Sequence, residues 1–317
     1  MRIAFCCQHN YWGGLNNCGG SRTIVLSCQA LKRLGHKAYV VTHSDKLTWI
    51  KHDKPLKRIS KDTDICVACS VSDIKPMLKH TPKKAKKFYW ARLVENRQMQ
   101  KEKLLKVASK VHIIVNSENL HDWFLAHGIG TEIVYQGIDL KNWQDKGKHD
   151  SKTIGFLISN KKRKHFDFIK KIVRRLGSEY KYVGYGVDLN KEIKAFVGKH
   201  FTYFKKNARH SDLMHIYNRA GIWVTTSTKE GLHNCPMEAA LCGCAVVYPD
   251  APLAGCSDHC IDGETAWKYN VLNVDSAVET IKAADKSRNV VHKELIRNKI
   301  GSRKQCMRKL VEKLKHN

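Results

Sequence analysis

Short apolar runs alternate with amphipathic stretches along the first half of the sequence. Residues 2–7 form an apolar run typical of a strand, and from Ser21 apolar residues recur with helical spacing until Gly35 ends the helix. The same pattern predicts strands over residues 37–42, 65–71, 87–89, 112–116 and 132–135, and a helix over residues 118–127. Strands that alternate with helices are typical of a parallel, doubly wound α/β sheet.

A polar stretch without periodicity, residues 139–152, interrupts this alternation and is predicted to be a linker. Beyond it we predict strands over residues 153–158, 180–184, 201–204, 221–226 and 245–248, and helices over residues 165–176, 211–219, 234–241 and 290–315. We therefore expect an α/β chain with one domain over residues 1–148, a second over residues 149–300 and a basic C-terminal helix over residues 301–317. Two such sheets imply a ligand-binding cleft between the domains.

The cysteines and the apolar runs indicate a cytosolic protein with reduced thiols. No apolar run approaches the roughly 18–20 residues of a membrane-spanning helix, and the chain begins directly with a predicted strand rather than a signal peptide. Cys66 and Cys69 form a CxxC, but alternation along a strand points them to opposite faces. A second group of cysteines, near His233 and His259, comprises Cys235, Cys242, Cys244, Cys256 and Cys260. Its spacings match no common zinc module, so buried thiols are predicted and no metal site.

Basic residues outnumber acidic residues by a wide margin. The chain holds 57 lysines and arginines against 29 aspartates and glutamates, a formal net charge of +28. Residues 1–150 hold 26 basic and 13 acidic residues, and the remainder holds 31 and 16, so both halves share the excess. Such a field attracts nucleic acid, an anionic membrane surface or an acidic polymer. A lysine-rich surface that only keeps the protein soluble is the alternative.

The segment over residues 223–247 carries the candidate chemistry. A predicted strand leads to Glu230-Gly231, and a helix is expected to begin near Pro236, a residue favoured in the first helical turn. The free N–H groups and the positive dipole end of a helix N-terminus form a seat for a diphosphate. Glu230 and Glu238 are spaced to hold hydroxyl groups of two different sugars on either side of that seat. Two isolated, solvated glutamates are the alternative.

This segment resembles the E-x7-E signature of retaining GT-B glycosyltransferases, especially those of glycosyltransferase family 4. The family pattern, E-G-[FL]-x4-[LM]-E-A-x-A-x-G-x-P-V-[VI], is followed except that Leu241 and Ala245 stand where the family has an alanine and a late proline. Three further stretches resemble the family in order along the chain. They are the glycine-rich loop with Gly13-Gly14 and Gly19-Gly20, residues 136–139 before the linker, and residues 211–221 before the signature strand.

The resemblance implies a retaining hexosyl- or pentosyltransferase with two Rossmann-like domains that face each other across a cleft. Residues 1–148 would bind the acceptor and residues 149–300 the nucleotide sugar, with the C-terminal helix crossing back to the first domain. The donor would be a UDP-sugar, and no cofactor is required. Because no DxD motif is suitably placed, protein cations and a helix N-terminus would meet the diphosphate charge without a metal ion.

The same resemblance assigns individual residues. Glu230 would contact the donor sugar and Glu238 the ribose, while Lys164 is our choice for the diphosphate because His165 and Asp167 follow it as in relatives. No histidine of the first domain is matched to the family's sugar-facing histidine by a motif, so Arg92 or Glu95 is assigned to that catalytic position, with His9 as a further candidate. The other expected donor-binding residues are Gly14, Gly20, Asn160, Lys161, Arg163, Gly231, Leu232, His233 and Asn234.

Three candidate functions stay open, two of which differ in the acceptor. In each of them the chain is expected to be a monomer. Duplex DNA with hydroxymethylated pyrimidines is favoured, since some phage enzymes of GT-B architecture glycosylate such bases and a basic enzyme suits a rod of phosphates. The predicted phosphate contacts are Lys83, Lys84, Lys86 and Lys87. The second candidate is a membrane-surface enzyme acting on a glycolipid or polysaccharide, although Pro82 interrupts the basic stretch. The third is a non-catalytic nucleic-acid-binding protein, which the presence of Glu230 and Glu238 disfavours.

Overall fold

The computed structural model of the chain describes residues 1–9, 13–95, 99–284 and 289–316. The chain divides into two compact units: Met1–Gly137 together with Gly301–Asn317, and Ile138–Ile300. Residues 138–149 belong to the second unit, in which Trp143 is buried and its ring packs against Tyr217. The division predicted after residue 148 therefore lies inside the second unit, because a buried tryptophan anchors the stretch predicted to be a linker.

The first unit is built on a six-stranded parallel sheet with the order β2-β1-β3-β4-β5-β6. Its strands are β1 (Arg2–Cys6), β2 (Lys37–Val41), β3 (Ile65–Ala68), β4 (Lys86–Ala91), β5 (His112–Val115) and β6 (Glu132–Ile133). Its first four helices are α1 (Gly19–Arg33), α2 (Val71–His80), α3 (Lys101–Ala108) and α4 (Glu118–Leu125). The strand order reverses between β1 and β3, which makes that pair the switch point of the sheet.

One predicted strand of the first unit runs into a helix, and two helices of this unit were not predicted. The strand expected over residues 65–71 ends at Ala68, and the helix α2 begins at Val71. Ile74 and Met77 of α2 are fully buried, so the helix is stabilised by packing in spite of Pro76 inside it. The other unpredicted helix of this unit is α3.

The second unit repeats the architecture with a parallel sheet in the order β12-β11-β10-β7-β8-β9. Its strands are β7 (Asp150–Ser159), β8 (Lys181–Val187), β9 (Tyr203–Lys206), β10 (Ala220–Val224), β11 (Ala245–Pro249) and β12 (Trp267–Tyr269). Its helices are α5 (Phe166–Leu176), α6 (Lys191–His200), α7 (His210–Arg219), α8 (Asn234–Leu241), α9 (Val274–Ala283) and α10 (Asn289–Leu295). Here the order reverses between β7 and β10. The prediction of two Rossmann-like α/β domains is confirmed.

The C-terminal tail is not the single helix predicted over residues 290–315. It consists of α10, a π-helical turn over Ile296–Ile300, and α11 (Arg303–His316). Gly301 separates them with φ +75°, a conformation that glycine adopts without strain. Helix α11 packs in the core of the first unit through apolar side chains that it shares with α1 and the sheet, namely Cys306, Met307, Leu310, Val311 and Leu314. The return of the C-terminal helix to the first unit is thereby confirmed.

The state of the cysteines and the length of the apolar helices can be compared with the sequence analysis. All twelve cysteines lie among the described residues, and none forms a disulfide. Cys66 packs in the apolar core on one face of the first sheet, and Cys69 packs in the core on the other, as strand alternation predicts. In the part of the chain that the structure describes, every helix is too short or too polar to cross a membrane.

Candidate functional site

The switch point of the second unit brings two loops together at the carboxyl ends of β7 and β10. The first loop, residues 160–165, connects β7 to α5, and the second, residues 225–233, connects β10 to α8. Because β7 and β10 are hydrogen-bonded neighbours, both loops leave the same edge of the sheet side by side. Open α/β sheets bind their ligands in the crevice outside such a strand pair.

Hydrogen bonds fix these two loops against each other. Thr226 Oγ1 donates to the backbone oxygen of Lys164 at 2.7 Å, and Thr228 N donates to that of Arg163 at 3.2 Å. The ring nitrogen Nε2 of His165 lies 2.8 Å from Thr228 Oγ1. His165 has φ 51°, a left-handed conformation that ends the 3-10 turn over Lys162–Lys164 and precedes α5. The backbone that carries the cations of the site is therefore held in one conformation.

The carboxylate of Glu230 lies between two cations at this point. Its Oε1 forms an ion pair with Arg163 Nη1 and a second with Lys164 Nζ at 2.7 Å. Ser227 Oγ donates to the same oxygen at 3.0 Å, and Arg163 also donates to the backbone oxygen of Lys229 at 3.0 Å. The side chains of Arg163, Lys164 and Glu230 are 18%, 9% and 15% exposed, so the cluster is screened from solvent but open on one side. Two cations against one anion leave a local positive excess.

Burial strongly affects the protonation of Lys164. Removal from water, followed by the repulsion of Arg163, lowers the pKa of Lys164 to about 7. The carboxylate of Glu230 is its counter-ion. An additional anion at this position would favour the charged form of the lysine, so the cluster is electrostatically prepared for a ligand with negative charge.

Helix α8 begins at Asn234, as the pattern over residues 234–241 predicts, and Pro236 lies in its first turn. The proline occupies the third helical position, where the missing N–H breaks no intrahelical hydrogen bond. The preceding loop is tied to residues 253–255, since Glu230 N donates to Leu253 O at 2.7 Å and His233 N donates to Gly255 O at 2.9 Å. These two bonds fix the position of Glu230 relative to the helix N-terminus.

Two residues predicted to face the donor are buried in hydrogen-bonded surroundings. Glu238 is 2% exposed, and its Oε2 accepts from Tyr217 Oη at 3.1 Å. Tyr185 Oη extends this network, lying 3.0 Å from Tyr217 Oη and 2.9 Å from Cys235 Sγ. His233 Nδ1 lies 3.2 Å from Thr225 Oγ1, and burial, followed by the charge of Lys164, lowers the pKa of His233 well below its usual value. The ring of His233 is therefore neutral.

The other predicted donor residues of this unit are placed less centrally. Lys161 Nζ lies 4.0 Å from Asp188 Oδ2, away from Glu230. Asn160 is exposed, and its Oδ1 accepts from Asn190 Nδ2 at 3.3 Å. Gly231 and Leu232 are buried, and Asn234 is partly buried at the helix start. Of the three cations considered for the diphosphate, Arg163 and Lys164 are the two that the fold brings together with Glu230.

The predicted residues of the first unit also meet at a switch point. Arg92 Nη1 donates to Gly20 O at 2.7 Å, and its Nη2 donates to Cys69 O at 3.0 Å, so the guanidinium connects α1 to the end of β3. Gly14 has φ +146°, and a Cβ there would overlap the backbone oxygen of Ser44, so only glycine is accommodated. Arg92 thus has defined backbone partners, and its assignment to the donor sugar stays a prediction.

Two carboxyl groups lie near Arg92. Glu95 accepts from Val71 N at 3.0 Å and from Tyr89 Oη at 3.3 Å, and burial raises the pKa of Glu95 to about 7. Asp73, which the sequence analysis did not select, accepts from His9 N at 2.7 Å and from Ser70 Oγ at 2.7 Å. Burial raises the pKa of Asp73 to about 6, although these hydrogen bonds and Arg92 lower it. Both carboxyl groups therefore exchange protons near neutral pH.

Comparisons with known proteins agree with this geometry. Residues 151–284 match the family model described as glycosyl transferases group 1. A glycosyltransferase family domain thus matches residues of the second unit. This group 1 domain covers both loops of the switch point, including Arg163, Lys164 and Glu230. No curated protein sequence matches the chain.

Solved structures show the fold over the whole chain. Alr3699/HepE from Anabaena, in complex with UDP and glucose, superposes with a TM-score of 0.81 at 13% identity over 100% of both chains. Sucrose-phosphate synthase from Thermosynechococcus elongatus gives a TM-score of 0.79 at 13% identity, over 100% of this chain and 98% of that chain. TarM from S. aureus gives 0.66 at 16% identity, over 80% of this chain and 56% of that chain. At these identities the likeness establishes the GT-B fold.

The predicted phosphate-binding lysines lie apart from the residues at the carboxyl end of β4. Lys83, Lys84 and Lys86 are exposed, and Lys87 is partly buried with its Nζ 3.4 Å from Lys83 O. They precede or begin β4, whereas Arg92 follows the end of that strand. Because β4 has six residues, roughly 16 Å of strand separates the two groups. The lysines form a surface group at the amino-terminal edge of the sheet, and their contact with DNA stays a prediction.

The sequence analysis did not select the hydroxyl groups that hydrogen-bond around Glu230 and Glu238 in the second unit. Thr226, Ser227 and Thr228 connect the two loops or contact Glu230, and Tyr217 contacts Glu238. The run of hydroxyl residues between the end of β10 and Glu230 was the available signal, because short polar side chains there compete for backbone groups. The tyrosine carried no such signal, since its contact joins α7 to α8 through the fold.

Proposed function

We propose that the chain is a glycosyltransferase that takes its sugar from a UDP-sugar. The observation that supports this most directly is the placement of Glu230 between Arg163 and Lys164 at the switch point of the group 1 domain. A compact cluster with excess positive charge beside a helix N-terminus suits a diphosphate. HepE, which shares the fold, has been solved with UDP and glucose and with UDP-glucose.

In this proposal each residue of the cluster has a separate role. Arg163 and Lys164 hold the diphosphate and stabilise the charge that it gains as the sugar departs. Glu230 exchanges part of its ion pairing for hydroxyl groups of the donor sugar, and Glu238 accepts from the ribose in competition with Tyr217. The reaction retains anomeric configuration through an oxocarbenium-like state, in which positioning contributes more than a protein nucleophile. No divalent ion at the diphosphate is required.

We further propose that the acceptor is duplex DNA that carries hydroxymethylated pyrimidines. The support is the charge of +28, shared by both halves of the sequence. Duplex DNA, a polymer with one charge per about 1.7 Å, is a ligand that such a field attracts strongly. The surface lysines at residues 83–87 would contribute to backbone contact, and recognition of the hydroxymethyl group would come from the active site.

One experiment tests the donor and the acceptor together. The protein is incubated with radiolabelled UDP-sugars and either hydroxymethylcytosine DNA, unmodified DNA or anionic lipid extract, and the fraction that takes label is identified. Label in the modified DNA alone is expected. Label in the lipid fraction would replace the DNA acceptor by a membrane glycan, and hydrolysis of no UDP-sugar under any condition would contradict transferase activity.

A binding measurement separates DNA from membranes. Affinity for duplex DNA is expected to fall with salt at a log–log slope of about −4 to −8, as for about five to nine phosphate contacts. Replacing Lys83, Lys84, Lys86 and Lys87 by glutamate is expected to weaken binding to all DNA sequences and to leave UDP binding unchanged. Weak, salt-insensitive DNA binding combined with tight binding to anionic liposomes would favour the membrane alternative.

A further inference from the structure

Four cysteine and histidine side chains meet inside the second unit, in the segment that follows β11. Cys256, His259 and Cys260 are buried, and one potential ligand atom from each lies within 4.8 Å of the other two. His292 of α10 completes the group, with its Nε2 3.1 Å from His259 Nδ1. None of these side chains is one of the predicted donor residues, although Cys256 Sγ lies 3.8 Å from His233 Nδ1. All four are less than 5% exposed.

The local chain geometry brings the first three residues to one side of a turn. His259 N donates to Cys256 O at 3.0 Å, and Cys260 N donates to the same oxygen at 2.7 Å. This is one turn of helix, and residues three and four apart in such a turn lie on the same face. A backbone turn that presents two thiols and an imidazole inward is a common way to build a metal site.

The separations agree with one tetrahedral ion. With Zn–N about 2.0–2.1 Å and Zn–S about 2.3 Å, tetrahedral ligands are about 3.3 Å apart for two nitrogens and about 3.6 Å apart for nitrogen and sulfur. The two histidine nitrogens are 3.1 Å apart, and Cys260 Sγ lies 3.3 Å from His259 Nδ1. One imidazole nitrogen thus faces a thiol and a second imidazole at once. It can share one proton with only one of them, whereas a central ion would satisfy all of these groups.

The ligand types select among metals. Two thiolates and two imidazoles are unsuitable for Mg²⁺ or Ca²⁺, which take oxygen ligands, and are a common set for Zn²⁺. Zn²⁺ binds cysteines as thiolates and histidines as neutral rings. Zn²⁺ would have to displace the thiol protons, which makes binding stronger at higher pH.

The position of the cluster in its segment indicates a structural role for the ion. Residues 250–266 connect β11 to β12 without a helix or strand, and irregular segments of this length are uncommon inside a compact domain. The same segment supplies Leu253 O and Gly255 O, which accept from Glu230 N and His233 N in the donor loop. Gly255 packs so closely on Gly231 that a Cβ would overlap its carbonyl. An ion beside Cys256 would therefore fix the wall on which the donor loop rests.

We propose that Cys256, His259, Cys260 and His292 bind one structural Zn²⁺. The ion holds the segment 250–266 and, through it, the loop that carries Glu230. The site takes a single ion, because its ligand atoms are too close together for an iron–sulfur cluster. The proposal is independent of the transferase activity, since the metal can be measured without any sugar donor.

The test is the metal content of the whole chain, produced without a histidine tag in zinc-supplemented medium and dialysed against metal-free buffer. Mass spectrometry of the elements is expected to find about one zinc per chain. Cys256→Ser and Cys260→Ser are each expected to lower this to below about a tenth. Cys242→Ser is the matched control, because Cys242 is an equally buried thiol of the same unit and lies 3.8 Å from Met214 Sδ, outside the cluster. It is expected to keep the zinc.

A spectroscopic measurement decides the outcome if the serine variants do not fold. Replacement of zinc by Co²⁺ in the unmodified protein is expected to give thiolate-to-cobalt charge-transfer bands and the intense visible bands of tetrahedral cobalt. His292→Cys is expected to keep the ion and to intensify the thiolate bands. Folded, unmodified protein with less than about 0.1 zinc per chain and no such cobalt spectrum would overturn the proposal, as would full zinc content in both serine variants.

Discussion

At the switch point of the second unit two cations lie against one carboxylate, whereas at the switch point of the first unit two carboxyl groups lie near one arginine. Both places are the carboxyl ends of neighbouring parallel strands, and both collect buried charged groups. Arg163 and Lys164 have an excess of positive charge beside Glu230. Asp73 and Glu95 instead have raised pKa values, so they give up their charge readily near neutral pH.

The difference shows that one architecture supports two kinds of polar site. In the second unit the field favours an anionic ligand, because Lys164 gains a more stable charge when an anion approaches. In the first unit the buried carboxyl groups disfavour an anion and offer hydrogen bonds to hydroxyl groups. The following predictions test this contrast, beginning with the largest expected effect.

Glu230→Gln is expected to lower turnover by about 100- to 1000-fold, because the variant keeps the side-chain volume but loses the charge that we propose contacts the donor sugar. The affinity for UDP is expected to stay the same or increase, since Arg163 and Lys164 lose a competing anion. Steady-state kinetics and calorimetry measure the two effects. Glu264→Gln, at an exposed position of the same unit, is the control and should change neither. Equal losses in turnover and UDP affinity would contradict the role of Glu230.

Lys164→Gln is expected to weaken UDP binding by about 1.5–3 kcal/mol, the range for losing a hydrogen bond to a charged group. Lys162→Gln is the matched control, because Lys162 lies in the same turn but is exposed. Calorimetry with UDP should show little change in this control. If both variants lost affinity equally, the cations would act as a diffuse basic surface rather than through the buried position of Lys164.

The affinity for UDP-glucose is expected to fall as the pH rises above about 7, because burial and the nearby Arg163 lower the pKa of Lys164 to about 7. A bound diphosphate raises this pKa, so binding takes up a proton in this range, and the fall approaches at most about tenfold per pH unit. Calorimetry in buffers of different ionisation enthalpy measures the proton uptake. Lys164→Arg should remove the dependence while retaining the charge, and an unchanged pH profile in that variant would contradict the assignment.

Glu95→Gln is expected to stabilise the first unit at about pH 8 by about 1–2 kcal/mol. Because burial raises the pKa of Glu95 to about 7, the folded protein holds this proton more tightly than the unfolded chain does. Its contribution to stability is present at low pH and is lost as the pH rises towards 7, so the variant should gain little at about pH 5. Denaturant unfolding at both pH values, with the exposed Glu102→Gln as control, measures the difference. A gain of equal size at both pH values would point to packing instead.

The sequence predicted most of the strands that position the sites, because buried parallel strands are continuous apolar runs. Helices with many lysines, such as α2 and α6, were not predicted, since tertiary packing of a narrow apolar face stabilises them. Glu230 and Lys164 could be selected from local motifs. Their ion pair could not, because it depends on β7 and β10 becoming neighbours although residues 166–224 and several elements lie between their loops.

The buried cysteines are a second case in which a cluster formed by distant residues could not be predicted from the sequence. The spacing of Cys256, His259 and Cys260 was visible in the sequence and was assigned to ordinary buried thiols. What changes the interpretation is His292, which comes from α10 and reaches His259 only in the folded unit. A ligand set that is divided between a short turn and a distant helix has no spacing rule from which to predict it.

The return of α11 to the first unit has a consequence for the order of folding during synthesis. The core of the first unit includes Met307, Leu310 and Leu314, so residues near the end of the sequence must be made before that core is complete. The second unit is continuous and has all of its residues earlier. Although domains generally mature from the N-terminus as the ribosome proceeds, we expect the second unit to complete its core first, while the first unit still lacks the contacts of α11 with α1. Ribosomal stalling after residue 300 would therefore leave a nascent chain for chaperones to bind.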